Sequence, residues 1–370
     1  MAPDSSDAAV AAGLGVLGFA HAHVGMYCRE WQRESGNLVR LVAGWDHDEG
    51  RLDAACREFG LSAEASVEAL LSRDDIGVVV IGAETSRHAD LVEAAASAGK
   101  AIILQKPLAL TMDEADRMVA AVERHGVRFT LAWQMRVDPE NLEIRRLMES
   151  GEFGRILMVR RRHGLMTHRM PDFENSWHVQ PELNHGMWAD DAAHAIDFLY
   201  WLFGSPLTVM AEIDTLLNPR VPDDHGIAVF RYKDGLMAEV VSSFTCVAGE
   251  NTTEVIGEKG VIIQNFGDQP SAGAPKPRGA IALKWYTEEN GDWRYADFEP
   301  PPNQGVRIFG LARPLAAFAA GQREPIASAR EGREVLNITL ACYRSAESGR
   351  RVTIENLETD HIQTEPRPDH

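Results

Sequence analysis

The run Ile76 to Ile81 carries no polar side chain, and it lies between segments patterned as amphipathic helices. A strand that is apolar on both faces must be covered on both, which happens in parallel sheets flanked by helices. The neighbouring residues repeat the theme. Leu14 to Leu17 reads as a strand ending in Gly18-Phe19-Ala20-His21-Ala22-His23, and the helix after it, Val24 to Glu34, has Met26 and Tyr27 facing inward. Strand Val39 to Gly44 runs out to Asp46, and a helix over Glu49 to Phe59 closes at Gly60, the residue type suited to a left-handed cap. A helix over Ser66 to Leu71 precedes the apolar strand. Next come a helix over Ser86 to Ala98 stopped by Gly99, strand Ala101 to Leu104, a helix over Met112 to His125 stopped by Gly126, and strand Val127 to Ala132. Alternating strand and helix predicts an α/β domain built on a doubly wound parallel sheet of the Rossmann type.

Beyond Asp138-Pro139 the grammar changes. After a helix over Glu140 to Ser150, the strand-like segments Leu157 to Arg162, Thr208 to Ile213, Gly226 to Tyr232, Leu236 to Thr245, Glu254 to Gly257 and Val261 to Gln264 follow without helices of crossover length between them. Lys233-Asp234-Gly235 is a hairpin signal. A helix over Trp188 to Phe203 interrupts them, Gln269 to Gly279 is a Pro- and Gly-rich loop, and a last helix, Arg330 to Ser348, leads to strand Arg351 to Ile354. The second part is therefore an α+β domain with a mainly antiparallel open sheet. The expected division is a tail over 1–12, an α/β domain over 13–136, an α+β domain over 137–358, and a polar tail over 359–370.

Acidic residues number 55 against 37 basic ones, a formal charge of −18 that argues against nucleic acid or an anionic membrane as a partner. Cys28, Cys56, Cys246 and Cys342 are scattered, with no Cys-x-x-Cys pair, so a zinc ribbon or disulfide framework is not expected and a reducing cytoplasm fits. Met1 to Asp7 carries two acids and no basic region, unlike a secretory signal, and no apolar run of about eighteen residues occurs.

A strand running through a glycine turn into a helix offers free backbone amides to a pyrophosphate. Counted from Gly18, the dinucleotide fingerprint has Ala20 and His23 at its later glycine positions, so only its first glycine is intact. Asp46 ends the next strand, where a carboxylate accepts hydrogen bonds from ribose hydroxyls. With that charge in place and no obvious Arg partner, NAD is expected rather than NADP. The candidate cofactor residues are Gly18, Phe19, Ala20, His21, His23, Asp46, His47, Thr85, His88, Gln105 and Lys106.

Lys106 follows strand Ala101 to Leu104, the end of a parallel strand at which sites form in open sheets. Asp190 precedes His194 by four residues, so a regular helix would place both on one face, with the carboxylate fixing the imidazole's tautomer. Lys106, Asp190 and His194 are the candidate catalytic groups. His163, Trp177, His178 and His185 join Asp190 and His194 as candidate substrate contacts, with His178 and His185 foremost, because imidazoles and indoles suit the hydroxyl edges and apolar face of a sugar ring.

The glycine turn at Gly18, Asp46, Gln105-Lys106-Pro107, Asp190-x-x-x-His194 with Ile196-Asp197, Phe153-Gly154-Arg155-Ile156 and Ser345 to Arg350 together resemble the Gfo/Idh/MocA oxidoreductases. The resemblance runs from Leu14 to about Ile354. It implies hydride transfer between NAD and a secondary hydroxyl of a sugar, cyclitol or glycoside, in a homodimer or homotetramer. Lys106 matches the lysine of that family's Glu-Lys-Pro motif, although Gln105 stands where glutamate is usual. Two alternatives stay open: a metal-assisted lyase or hydrolase, should His163, His178, His185, Asp190 and His194 converge, and a sugar-sensing protein without catalysis. No metal is expected, since their spacing matches no metal motif. Which sugar, which carbon and which direction are not legible, nor is whether Lys106 or His194 takes the proton first.

Overall fold

The computed structural model describes residues 11–34, 38–248, 251–264, 278–302 and 305–355. The expected tails and the Gln269 to Gly279 loop fall largely outside those residues. Six strands, β1 (Ala12–Leu17), β2 (Val39–Trp45), β3 (Ser62–Ala63), β4 (Val78–Ile81), β5 (Ala101–Leu104) and β6 (Phe129–Leu131), pair in parallel in the order β3-β2-β1-β4-β5-β6. Helices α1 (Ala22–Glu34), α2 (Glu49–Phe59), α3 (Val67–Leu71), α4 (His88–Ser97) and α5 (Met112–His125) supply the crossovers. Every residue of β4 and β5 is buried, as their unbroken apolar sequence requires. The strand order reverses between β1 and β4, which opens a crevice at their C-terminal ends. Local chemistry sets the helix ends: Asp48 caps α2, Thr111 and Glu114 form a capping box on α5, and Gly60 and Gly126 close these helices in the left-handed region.

Helix α6 (Pro139–Glu149) leads into a second sheet. Its strands are β7 (Ile156–Gly164), β8 (Thr208–Asp214), β9 (His225–Arg231), β10 (Met237–Ser243), β11 (Asn251–Gly257), β12 (Gly260–Gln264), β13 (Leu283–Thr287), β14 (Trp293–Tyr295) and β15 (Val352–Thr353). They lie in the order β14-β13-β12-β11-β7-β10-β9-β8-β15, with only β7 and β10 parallel. The hairpin at Lys233–Gly235 joins β9 to β10 as its turn residues predict. The expectation of a mainly antiparallel open sheet holds.

Strands β13 and β14 were not expected, nor were helices α9 (Gly305–Phe309) and α10 (Ala312–Ala319), which come ahead of the last helix, α11 (Ala329–Ser348). After α7 (Pro181–Asn184), the single helix expected over Trp188 to Phe203 is divided. A π-helical turn, Trp188–Ala192, feeds α8 (Ala193–Phe203). The chain past the second sheet packs back on the first, where Trp31 donates to the Ala312 carbonyl at 2.7 Å and Arg128 to that of Phe318 at 2.6 Å.

Arg136, just past β6, grips Asp197 of α8 through Nη2 at 2.8 Å and Nε at 3.1 Å, and it also pairs with Glu331 at the start of α11. Burial pushes the Asp197 carboxyl pKa up, so its charge depends on this guanidinium. Arg136→Met should therefore destabilise the fold by about 3–5 kcal/mol, the cost of stranding one buried charge. Denaturant titration checks this, and a loss below about 1 kcal/mol would contradict it.

Candidate active site

At the end of β1, Gly18 takes φ 88°, and a Cβ there would lie 2.5 Å from the Ala83 backbone. The turn is therefore closed to larger residues although its later glycines are missing. His21 donates its backbone N–H to the Gly82 carbonyl, which turns its ring, with that of His23, into a cavity of about 290 Å³. The far wall comes from the second half of the chain: His163 of β7, His178, Asp190, Asp191 and His194. Lys106, carried past β5, stands between the two walls.

Lys106 Nζ is buried and spends its three protons on Asp190 Oδ1 at 2.6 Å, the Asp190 carbonyl at 3.2 Å and Asp191 Oδ1 at 3.3 Å. Burial alone would lower its pKa, but Asp190 and Asp191 more than offset that, so the net shift is upward. The other Asp190 oxygen accepts from His178 Nδ1 at 2.7 Å. Burial opposes the Asp190 charge, yet Lys106 and His178 together hold its carboxyl well below the ordinary range. The His178 ring is stacked between Trp177 at 3.9 Å and Phe173 at 5.8 Å. Trp177 donates to the Ala20 carbonyl at 3.1 Å, tying this arm to the cofactor turn.

The expected Asp190–His194 pair does not form. Both Asp190 oxygens are taken, and it is Asp191 Oδ1 that stands 3.6 Å from His194 Nε2. The π turn supplies the reason: its wider spacing rotates Asp190 off the row it would share with His194 in a regular helix. Asp191 is thus a site residue that the four-residue spacing hid, and Gln134 is another wall residue missed.

Other expected residues take different places. His185 adopts φ 67° and packs on Tyr343, away from the cavity. The five groups of the metal alternative consequently do not converge. The ring nitrogens of His88 face the carbonyls of Ala83, Pro107 and Leu108, so it braces the Lys106-Pro107 bend instead of reaching the cavity. Thr85 spends its hydroxyl on Asn184 Oδ1 at 2.7 Å. Gln105 donates to Tyr27 Oη at 2.8 Å beneath the lysine, a neutral support where a carboxylate would add charge.

Asp46 ends β2 as expected, but an arginine stands at this strand end, where none was expected to meet a 2′-phosphate. Arg51, one turn into α2, reaches back with Nη2 to Oδ1 at 2.8 Å and Nε to Oδ2 at 3.1 Å. The amides of Asp48 and Phe19 complete the set at 2.9 and 2.7 Å, and Arg51 also meets Glu84 at 2.9 Å. A carboxylate offers about four acceptor positions, so a ribose can bond to Asp46 only where it displaces Arg51. His47 lies beside the pair, 3.3 Å from Asp46 Oδ1.

Two family models match. One, described as an oxidoreductase family with an NAD-binding Rossmann fold, covers residues 11–132, and the Gfo/Idh/MocA C-terminal domain covers 141–263. The chain belongs to the Gfo/Idh/MocA oxidoreductases. D-apiose dehydrogenase of Paraburkholderia graminis is 26% identical, over 94% of this chain and 90% of its own length. Inositol 2-dehydrogenase of Salmonella typhimurium is also 26% identical, over 76% and 79%. The uncharacterized oxidoreductase YrbE of Bacillus subtilis reaches 30%, but over 52% of this chain and 56% of its own length. Among solved structures, levoglucosan dehydrogenase in complex with NADH superposes with a TM-score of 0.77 at 22% identity, covering 94% of this chain and 100% of that one. This Gfo/Idh/MocA chain is an NAD-binding oxidoreductase. The tight Gly18 turn, the α1 N-terminus with no acid in its first turn, and the unpartnered His21 Nε2 fit a pyrophosphate in the crevice. Among the described residues, no helix is long and apolar enough to cross a membrane.

The cavity's imidazoles make stability pH-dependent. Burial pushes His163 down to about 4 and His23 down to about 3, from an ordinary value of 6.5. The folded protein leaves them neutral while the unfolded chain takes up protons, so stability present above pH 6.5 falls as pH drops toward 4. His163→Gln should flatten that loss by about 1 kcal/mol per pH unit, read from denaturation midpoints at stepped pH. Parallel curves for the two proteins would contradict it.

Proposed function

We propose that this protein is an NAD-dependent dehydrogenase that oxidises a secondary hydroxyl of a sugar, cyclitol or glycoside. The observation that carries the reading is the meeting of Lys106, from the Rossmann sheet, with Asp190, Asp191 and His194, from the second half, on one cavity. Its volume suits one small ring, and its wall combines imidazoles with the apolar Leu165, Met170, Phe173 and Ile308. The division into a cofactor part, 13–136, and a substrate part, 137–358, belongs to the same proposal.

NAD supplies the hydride acceptor when bound. The close turn at Gly18, the Ala20 amide and the α1 N-terminus would hold its pyrophosphate, with Arg51, His47 and Asp46 at the adenosine end. Alcohol oxidation removes a proton from oxygen as the carbinol hydrogen departs with its electron pair. Lys106, protonated and gripped by two carboxylates, is suited to steadying the developing alkoxide rather than to accepting that proton. The acceptor is His194. Burial, reinforced by Lys106, holds its pKa well below 6.5, so a lone pair is free at neutral pH. The new imidazolium would then lie beside Asp191. Asp190 positions Lys106 and hands its second oxygen to His178, the most open member of the chain of contacts.

Inositol 2-dehydrogenase and levoglucosan dehydrogenase are named for ring substrates of the same chemical class. The proposal places the protein in the cytoplasm, free of nucleic acid and membrane, as a homodimer or homotetramer joined through its open sheet, where Ile227 is 51% exposed.

A panel of cyclitols and sugars with NAD, followed at the absorbance of NADH, tests the reading. Lys106→Ala should lower kcat by at least about a thousandfold while leaving the NADH dissociation constant within about threefold. A kcat within tenfold of wild type would overturn the role given to Lys106.

A further inference from the structure

Asp191 is not part of the motif that drew attention to Asp190, yet it is the carboxylate still open to the cavity. Asp190 is 2% exposed and has both oxygens committed, whereas Asp191 is 13% exposed and meets Lys106 and His194 through one oxygen. Lys106 and Asp190 offset one another in charge, and among the described residues no arginine lines the cavity, so Asp191 is the excess charge on its described wall.

A second observation comes from buried polar atoms without partners on the same wall. His163 Nδ1 hydrogen-bonds Asn251 Oδ1 at 2.7 Å, which leaves its buried Nε2 as an acceptor with nothing among the described residues to accept from. Gln134 Oε1 is likewise buried and unpartnered. Asp191, His163 Nε2 and Gln134 Oε1 together form an acceptor-rich surface, and acceptors demand a ligand that brings O–H donors. A neutral polyol brings several. A sugar acid brings a carboxylate with none, set against a like charge in a partly dehydrated cleft.

We infer that Asp191 fixes the charge class of the substrate, accepting a hydroxyl from neutral polyols and excluding sugar acids; this rests on the dehydrogenase reading above. Like charges opposed a few ångströms apart in such a cleft are worth on the order of a hundredfold in selectivity.

The test uses wild type, Asp191→Asn and Asp191→Glu with NAD, and compares myo-inositol, levoglucosan and D-glucose with D-gluconate and D-glucuronate. Wild type and Asp191→Glu should favour the best neutral compound over the best acid by about a hundredfold or more in kcat/KM, and Asp191→Asn should shrink that ratio at least about tenfold. An unchanged ratio in Asp191→Asn, or a wild type that prefers acids, overturns the inference. A second readout needs no substrate: quenching of bound NADH fluorescence by iodide and by neutral acrylamide. Asp191→Asn should admit iodide several-fold better while acrylamide quenching stays level. If no panel member is turned over but this asymmetry appears, the dehydrogenase reading falls and the charge assignment stands. Equal iodide access in wild type and Asp191→Asn sinks the assignment whatever the panel shows.

Discussion

The contact on which the site depends is the buried ion pair between Lys106 and Asp190, 2.6 Å apart, one from the parallel sheet and one from the helix entrance of the second half. Removing both ions from water is expensive, and a pair of this kind is tolerated where further hydrogen bonds support both partners. Here they do. The ammonium spends its three protons on Asp190 and Asp191, and the carboxylate spends its second oxygen on His178. The stack of Trp177 on His178 and the Trp177 bond to the Ala20 carbonyl extend the network to the cofactor turn. Breaking any one member leaves a buried charge exposed to the others, so the geometry of both walls is coupled through this pair.

A cavity with several histidines remains electrically simple because burial keeps most of them neutral. His21, His23, His163 and His194 all have their pKa lowered, with desolvation as the leading cause and Lys106 adding to it, together with neighbouring imidazoles at His21, His23 and His194 and Arg161 at His163. Neutral imidazoles can donate or accept, which suits hydroxyl-rich ligands. The histidines at the later glycine positions and beside them in the first turn thus do two jobs. Their backbone shapes the phosphate turn, and their rings furnish the near wall of the cavity.

Much of this was legible from periodicity. The apolar runs at Val78–Ile81 and Ala101–Leu104 announced buried parallel strands, and Gly60 and Gly126 marked helix ends that the structure keeps. Lys106 could be assigned to a site because ends of parallel strands are where sites form, and His194 joined it through the Asp190-x-x-x-His194 spacing and the family resemblance. The misreadings have physical causes. Four-residue spacing implies a shared face only in a regular α-helix, and the π turn at Trp188–Ala192 voided it, giving Asp190 to His178 and leaving Asp191 beside His194. Arg51 was legible in principle, since a residue three past the Asp48 cap points back toward the strand end. His185 had no such signal: its left-handed backbone and its packing on Tyr343 are tertiary facts. Strand β14 is exposed along its whole length and so lacks the alternation that betrays a strand.

The central claim is that Lys106 is a protonated ammonium clamped by two carboxylates, with the proton of the reaction going to the imidazole. Titration of the Lys106 ε-carbon by NMR, with Lys106→Met identifying the resonance, measures this directly in the whole protein. The account predicts that the signal stays in its protonated position up to at least the ordinary lysine value of 10.5, and that Asp190→Asn brings the midpoint down. A midpoint near neutrality in the wild-type protein would show a neutral amine at work and contradict the account.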